Sequence, residues 1–111
     1  MTQEKQAAHA RERRYPRIAL PKGMLVAWQC SDGRGVSRAA TLGLGGLFLA
    51  TPDPPPVGTL LKLLFEVPTG EVRARAMVRN LKAGEGMAVA FIDMNHSDRA
   101  RLSQLLKTLV Q

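Results

Sequence analysis

A single cysteine, Cys30, is present among 111 residues, so no disulfide can staple this chain internally. That usage fits a reducing compartment. No apolar run approaches the roughly 20 residues a helix needs to cross a bilayer. The opening MTQEKQAAHA lacks the apolar stretch of a secretory signal. A cytoplasmic location without membrane insertion is the expectation. Aromatics are scarce: one Trp, one Tyr and three Phe. They do not interleave with basic residues along a strand, as in proteins that stack the bases of single-stranded nucleic acid, so DNA is not an expected partner. The two histidines, His9 and His96, lie far apart without a second ligand at metal spacing, and neither a metal site nor a cofactor is expected. Nine acidic residues are spread along the chain, and no Ser-His-Asp set, Cys-His pair or close carboxylate pair stands out. These shortages argue against an enzyme.

What the chain has in excess is positive charge. Sixteen Lys and Arg against nine acids give a formal +7, with a pI of about 10.5. Such a balance favours an anionic partner: nucleic acid, nucleotide, phosphate or anionic lipid. The charge is concentrated ahead of the first strand. Residues 1–22 carry Lys5, Arg11, Arg13, Arg14, Arg17 and Lys22 against Glu4 and Glu12. Apolar content of 45% argues against global disorder, and this length suits one domain with one modest core.

Residues 1–14 show no apolar period and read as a flexible basic arm, leaving 15–111 as a single domain. Pro16, Pro21 and Gly23 punctuate the approach to the fold. From Met24 the period is two, with Met24, Val26, Trp28 and Cys30 on one face. Ser31-Asp32-Gly33 is a turn, and a second strand is expected over 35–42. Gly43-Leu44-Gly45-Gly46 then precedes Leu47-Phe48-Leu49-Ala50. Glycines in a strand pattern mark either a bulge or close approach of backbone to something else. After the stiff loop PDPPPVG (52–58), strands are expected over 59–67, 71–81 and 87–92. The fifth places Arg73, Arg75 and Arg79 on an outer face. Leu102, Leu105, Leu106, Leu109 and Val110 recur at helical spacing, with Asn95 or Ser97 as a cap and Asp98 in the first turn. About six short strands and one terminal helix make an all-β sandwich or barrel.

Two places with their spacing resemble the PilZ domain family. The first is Arg11-Glu12-Arg13-Arg14-Tyr15-Pro16-Arg17, similar to the family's RxxxR element with Arg13 and Arg17 as its arginines. The second is Thr41-Leu42-Gly43-Leu44-Gly45-Gly46, standing where the family shows (D/N)xSxxG before an apolar strand. The stretch 86–91, GMAVAF, resembles the family's late strand. The resemblance implies a six-stranded antiparallel β-barrel of the split-barrel kind, capped by the C-terminal helix. It also implies binding of cyclic di-GMP by Arg13, Arg14 and Arg17 of the arm together with Thr41, Gly43 and Gly46. Guanidinium groups suit such a ligand, because they bind phosphate or the guanine O6/N7 edge bidentately and stack on bases. The expected role is a stand-alone receptor or adapter that passes the signal to a protein partner in a motility, pilus or polysaccharide system. The second motif departs from the pattern: Thr41 replaces Asp/Asn, Gly43 replaces Ser, and only Gly46 matches. Loss of one charge-assisted hydrogen bond weakens binding about ten- to a hundredfold. A degenerate adapter without nucleotide is therefore the alternative.

Overall fold

The computed structural model describes residues 16–110. Six strands and one helix follow in the order β1 (Ile18–Cys30), β2 (Gly33–Leu42), β3 (Gly46–Ala50), β4 (Leu60–Val67), β5 (Gly70–Lys82), β6 (Gly86–Asp93) and α1 (His96–Leu109). The strands close into an antiparallel barrel with spatial order β1-β2-β3-β6-β5-β4, and β4 returns to pair with β1. Closure leaves no unpaired sheet edge among these strands.

The period-two pattern selects the interior. Val26, Leu42, Leu47, Leu49, Leu61, Val72, Val78, Met87 and Val89 are all at most 2% exposed and form one cluster. Leu102 of α1 enters the same cluster, with Leu105 and Leu106 packed beside it. Leu109 and Val110 do not follow; they are 37% and 69% exposed. The helix has left the barrel by that point, so the apolar stripe read from the sequence is longer than the face that packs. Asn95 is the N-cap, its side chain accepting from the Asp98 N–H at 2.8 Å, and Ser97 lies inside the helix.

The first strand begins at Ile18, six residues before the period becomes visible at Met24. Its pairing with β2 shifts register between Ala19 and Met24, and Gly23 takes φ +71°, a conformation only glycine adopts readily. The Arg38 side chain lies across Gly23 and donates from Nη1 to the Lys22 carbonyl at 2.6 Å. This irregular stretch hides the strand from a strict alternation test, and a cross-strand arginine closes it. At the far end of β1, Trp28 is half-buried and donates from Nε1 to the buried Ser37 Oγ at 2.9 Å. Cys30 is half-buried against the core, as its position on the apolar face predicts.

Candidate functional site

The turn after β2 is held from within the barrel. Gly43 N–H donates to the Gly46 carbonyl at 2.9 Å, and Phe91 N–H donates to the Gly45 carbonyl at 2.9 Å. Gly46 pairs with Ala90 and is buried. A Cβ there would run into the Val89 carbonyl oxygen. Gly43 has no positive φ. A Cβ on it would instead stand 2.6 Å from the Pro16 carbonyl oxygen and 3.3 Å from Arg17 Cγ. The alternatives left open by the sequence resolve toward close backbone approach: Gly46 toward β6, and Gly43 toward the chain entering β1.

That approach joins the two motif regions. Ile18 pairs with Leu42 and Ala19 with Thr41, so Arg17 falls beside Gly43 at the next position. Arg17 keeps much of its surface open to water. The chain beneath it still removes enough solvent to hold its guanidinium below the ordinary arginine pKa. Among the described residues no carboxylate forms an ion pair with it. Arg13 and Arg14 lie outside the described residues, as does the whole of the 1–14 arm.

Thr41 is half-buried on the outer surface, between Ala19 on one side and Phe48 on the other. Phe48 pairs in turn with Ala88, and Ala88 with Asn80. An outward row therefore runs Ala19, Thr41, Phe48, Ala88, Asn80 across β1, β2, β3, β6 and β5. Two alanines keep it low. Thr41 offers a hydroxyl, Phe48 a half-buried ring face and Asn80 an exposed amide with both donor and acceptor. The sequence reading missed Phe48 and Asn80. Alternation within β3 does mark Phe48 as outward, between the buried Leu47 and Leu49. Asn80 aligns with it only through a register shift between Val78 and Asn80, which no local pattern reveals.

No group of three or more His, Cys, Asp and Glu able to hold a metal exists among the described residues. No helix among them is long and apolar enough to cross a membrane.

Comparison with known proteins places this geometry. The family model described as PilZ domain matches residues 11–108. The chain belongs to the PilZ domain family. No curated protein sequence matches it. Among solved structures, the Bacillus subtilis inhibitor of motility MotI/DgrA is similar at TM-score 0.73 and 17% identity, over 88% of this chain and 51% of that one. The MrkH–c-di-GMP complex of K. pneumonia is similar at TM-score 0.70 and 19% identity, over 88% and 51%. The PilZ domain of Escherichia coli YcgR with c-di-GMP gives TM-score 0.70 and 17% identity, over 88% of this chain and 91% of that domain. The chain thus spans about half the length of the first two and nearly all of the isolated YcgR domain. At these identities the likeness establishes the barrel fold. The expected fold class, a six-stranded antiparallel barrel with a C-terminal helix, is the one observed.

Proposed function

We propose that this chain is a cyclic di-GMP receptor module that passes the nucleotide signal to a protein partner in a motility, pilus or polysaccharide system. The observation that supports the reading is the contact of the chain entering β1 with the glycine turn: Pro16 and Arg17 lie directly over Gly43. The Arg17 end of the first motif region therefore lies beside the second. Arg17, a partly desolvated cation without an anionic partner among the described residues, suits a phosphate or a guanine edge. Arg13 and Arg14 would close over the ligand from the arm. Thr41 supplies one hydroxyl, and Gly43 and Gly46 keep the turn free of side chains. Phe48 is placed to stack on a guanine and Asn80 to meet its edge. Among the structural neighbours, MrkH and the YcgR PilZ domain contain c-di-GMP, and MotI is described as an inhibitor of motility.

A second reading, a PilZ adapter that has lost the nucleotide, is favoured by the residues at the second motif, Thr41 and Gly43 in place of Asp/Asn and Ser. Family members place serine where Gly43 stands, and its Cβ has no room beneath Pro16. Titration calorimetry with cyclic di-GMP at moderate salt separates the two. Saturable binding at roughly micromolar Kd supports the receptor. No heat with either nucleotide or DNA supports the adapter. Binding to DNA that falls steeply with salt would sink both.

A further inference from the structure

The opposite end of β2 carries a second surface that the nucleotide reading does not use. Val36 lies seven positions before Gly43, about 23 Å along an extended chain. There β2, β1 and β4 lie side by side, and the outward residues form two parallel rows. Val36, Ala27 and Leu64 make an apolar row, through the pairs Ala27–Val36 and Ala27–Leu64. Arg34, Gln29 and Lys62 make a polar row next to it, and Lys62 pairs onward with Arg75. The two rows line an open groove of about 460 Å³. Val36 is 67% exposed, high for an aliphatic side chain in a sheet centre.

The charge on this face is arranged against stability. Lys62 stands opposite Arg75, and four pairs along the same ladder Glu66 stands opposite Glu71. Like charges directly across a ladder destabilise it. Exchanging one base with one acid would set opposite charges across both pairs, although Glu71 already meets Arg73 at 3.4 Å. Instead the cations collect at the groove end, and no ion pair among the described residues involves Arg34, Lys62 or Arg75.

We propose that this groove is a protein-docking face for an acidic segment that carries an aliphatic side chain between its carboxylates. The aliphatic group covers Val36, Ala27 and Leu64, and the carboxylates meet Arg34, Lys62 and Arg75. Charge complementarity selects acid. The apolar floor selects a peptide over a bare polyanion. A bilayer is disfavoured because Ala27 and Leu64 are half-buried behind the cations and do not protrude. Single-stranded nucleic acid would need stacking rings, and the one aromatic here, Trp28, is held against Gly35 and bonded to Ser37.

The test uses the full chain with a fluorescent peptide of alternating glutamate and leucine. An all-glutamate peptide of equal charge, anionic phosphatidylglycerol vesicles and single-stranded DNA serve as comparisons, all at physiological salt. Saturable binding of the mixed peptide is expected, weakened roughly tenfold by Lys62→Glu and by Val36→Thr, which keeps the β-branch and so the strand. Lys107→Glu, an equal charge change on α1, is expected to leave binding unchanged. Amide shifts in nitrogen-15 spectra should centre on 27–36 and 62–64, with thermal unfolding confirming that each variant is folded. Equal binding of the all-glutamate peptide, or an equal loss in the Lys107 variant, would overturn the proposal in favour of diffuse electrostatics. Binding to vesicles or DNA but not to peptide, or no binding at all, would overturn it outright. None of these readouts depends on cyclic di-GMP.

Discussion

The Pro16 carbonyl oxygen stands over Gly43 so closely that a Cβ on Gly43 would lie 2.6 Å away. Gly43 itself has no positive φ, so its backbone would accept another residue without strain. What excludes a side chain is the chain at Pro16 and Arg17 passing above. The serine typical of the family at this place and the present path of these two residues are mutually exclusive. Whichever occupies the space decides how the two motif regions meet.

Gly43→Ser is therefore expected to push Pro16 and Arg17 aside and to leave the barrel intact. Unfolding free energy should change by no more than about 1 kcal/mol. Hydrogen exchange at Ile18 and Ala19 should accelerate, because their pairing with Leu42 and Thr41 begins where the arm is displaced. Unchanged protection together with a large loss of stability would show that the core is what resists the serine.

Thr41→Asp should strengthen cyclic di-GMP binding about ten- to a hundredfold by restoring a charged acceptor for guanine N–H groups. Thr41 is only half-buried, between Ala19 and Phe48, so a carboxylate there stays hydrated. Adding Gly43→Ser should improve affinity further only if the arm finds a second path. Calorimetry on the single and double variants decides this. If both are folded and neither binds, the receptor reading fails and the adapter reading stands.

For the arm, Arg13→Ala and Arg17→Ala should each weaken nucleotide binding more than about tenfold, since each removes a charge-assisted contact. Arg11→Ala should matter much less. Equal small losses in all three, measured by the same titration, would mean a diffuse electrostatic tail.

The strand series was legible because barrel strands with one buried face alternate, as β4 does throughout and β5 as far as Val78, with a short turn between them. The start of β1 was not. Its register shift between Ala19 and Met24 breaks the alternation, and Arg38, distant in sequence, closes it. The glycine run 43–46 left a bulge and a close approach both open, and the Val89 carbonyl that Gly46 meets emerges only from β3–β6 pairing. For the candidate site, residue types named the motif regions, whereas Phe48 and Asn80 come into line with Thr41 only through pairings of strands far apart in the chain. Alternation reports which face a residue takes, and it carries no information on which strand lies next to it.

Gly46 and Gly33 offer a contrast within one barrel. An alanine Cβ at Gly46 meets the Val89 carbonyl and comes within 3.1 Å of Ala90 Cα, both backbone atoms of a paired strand that cannot yield. Gly46→Ala should destabilise by about 3 kcal/mol or more. At Gly33 nothing lies within 4 Å of the added atom, so Gly33→Ala should fall within about 0.5 kcal/mol of the parent. Urea denaturation of both variants measures the difference, and comparable values would show that strand β6 can move away.

Asp98 fastens α1 to the barrel. It is 6% exposed and spends both carboxylate oxygens. Oδ2 accepts from the Arg73 backbone N–H at 3.2 Å, and Oδ1 accepts from Arg101 Nη1 at 3.0 Å. Arg101 also reaches the Thr69 and Glu71 carbonyls, so one residue links the helix to the β4–β5 turn and the start of β5. Asp98→Ala would leave the Arg73 N–H without a partner and remove the carboxylate from Arg101. A loss of about 2–3 kcal/mol is expected in urea denaturation followed by circular dichroism. Asp98→Asn should fall between, since its amide oxygen can still accept from Arg73 while its NH₂ cannot serve Arg101. Arg101→Ala should cost less than either, because its side chain is 37% exposed and water can replace the contact. The order alanine, asparagine, then Arg101→Ala in decreasing cost tests where the anchoring lies. If Arg101→Ala costs as much as Asp98→Ala, the ion pair and not the buried backbone contact holds the helix in place.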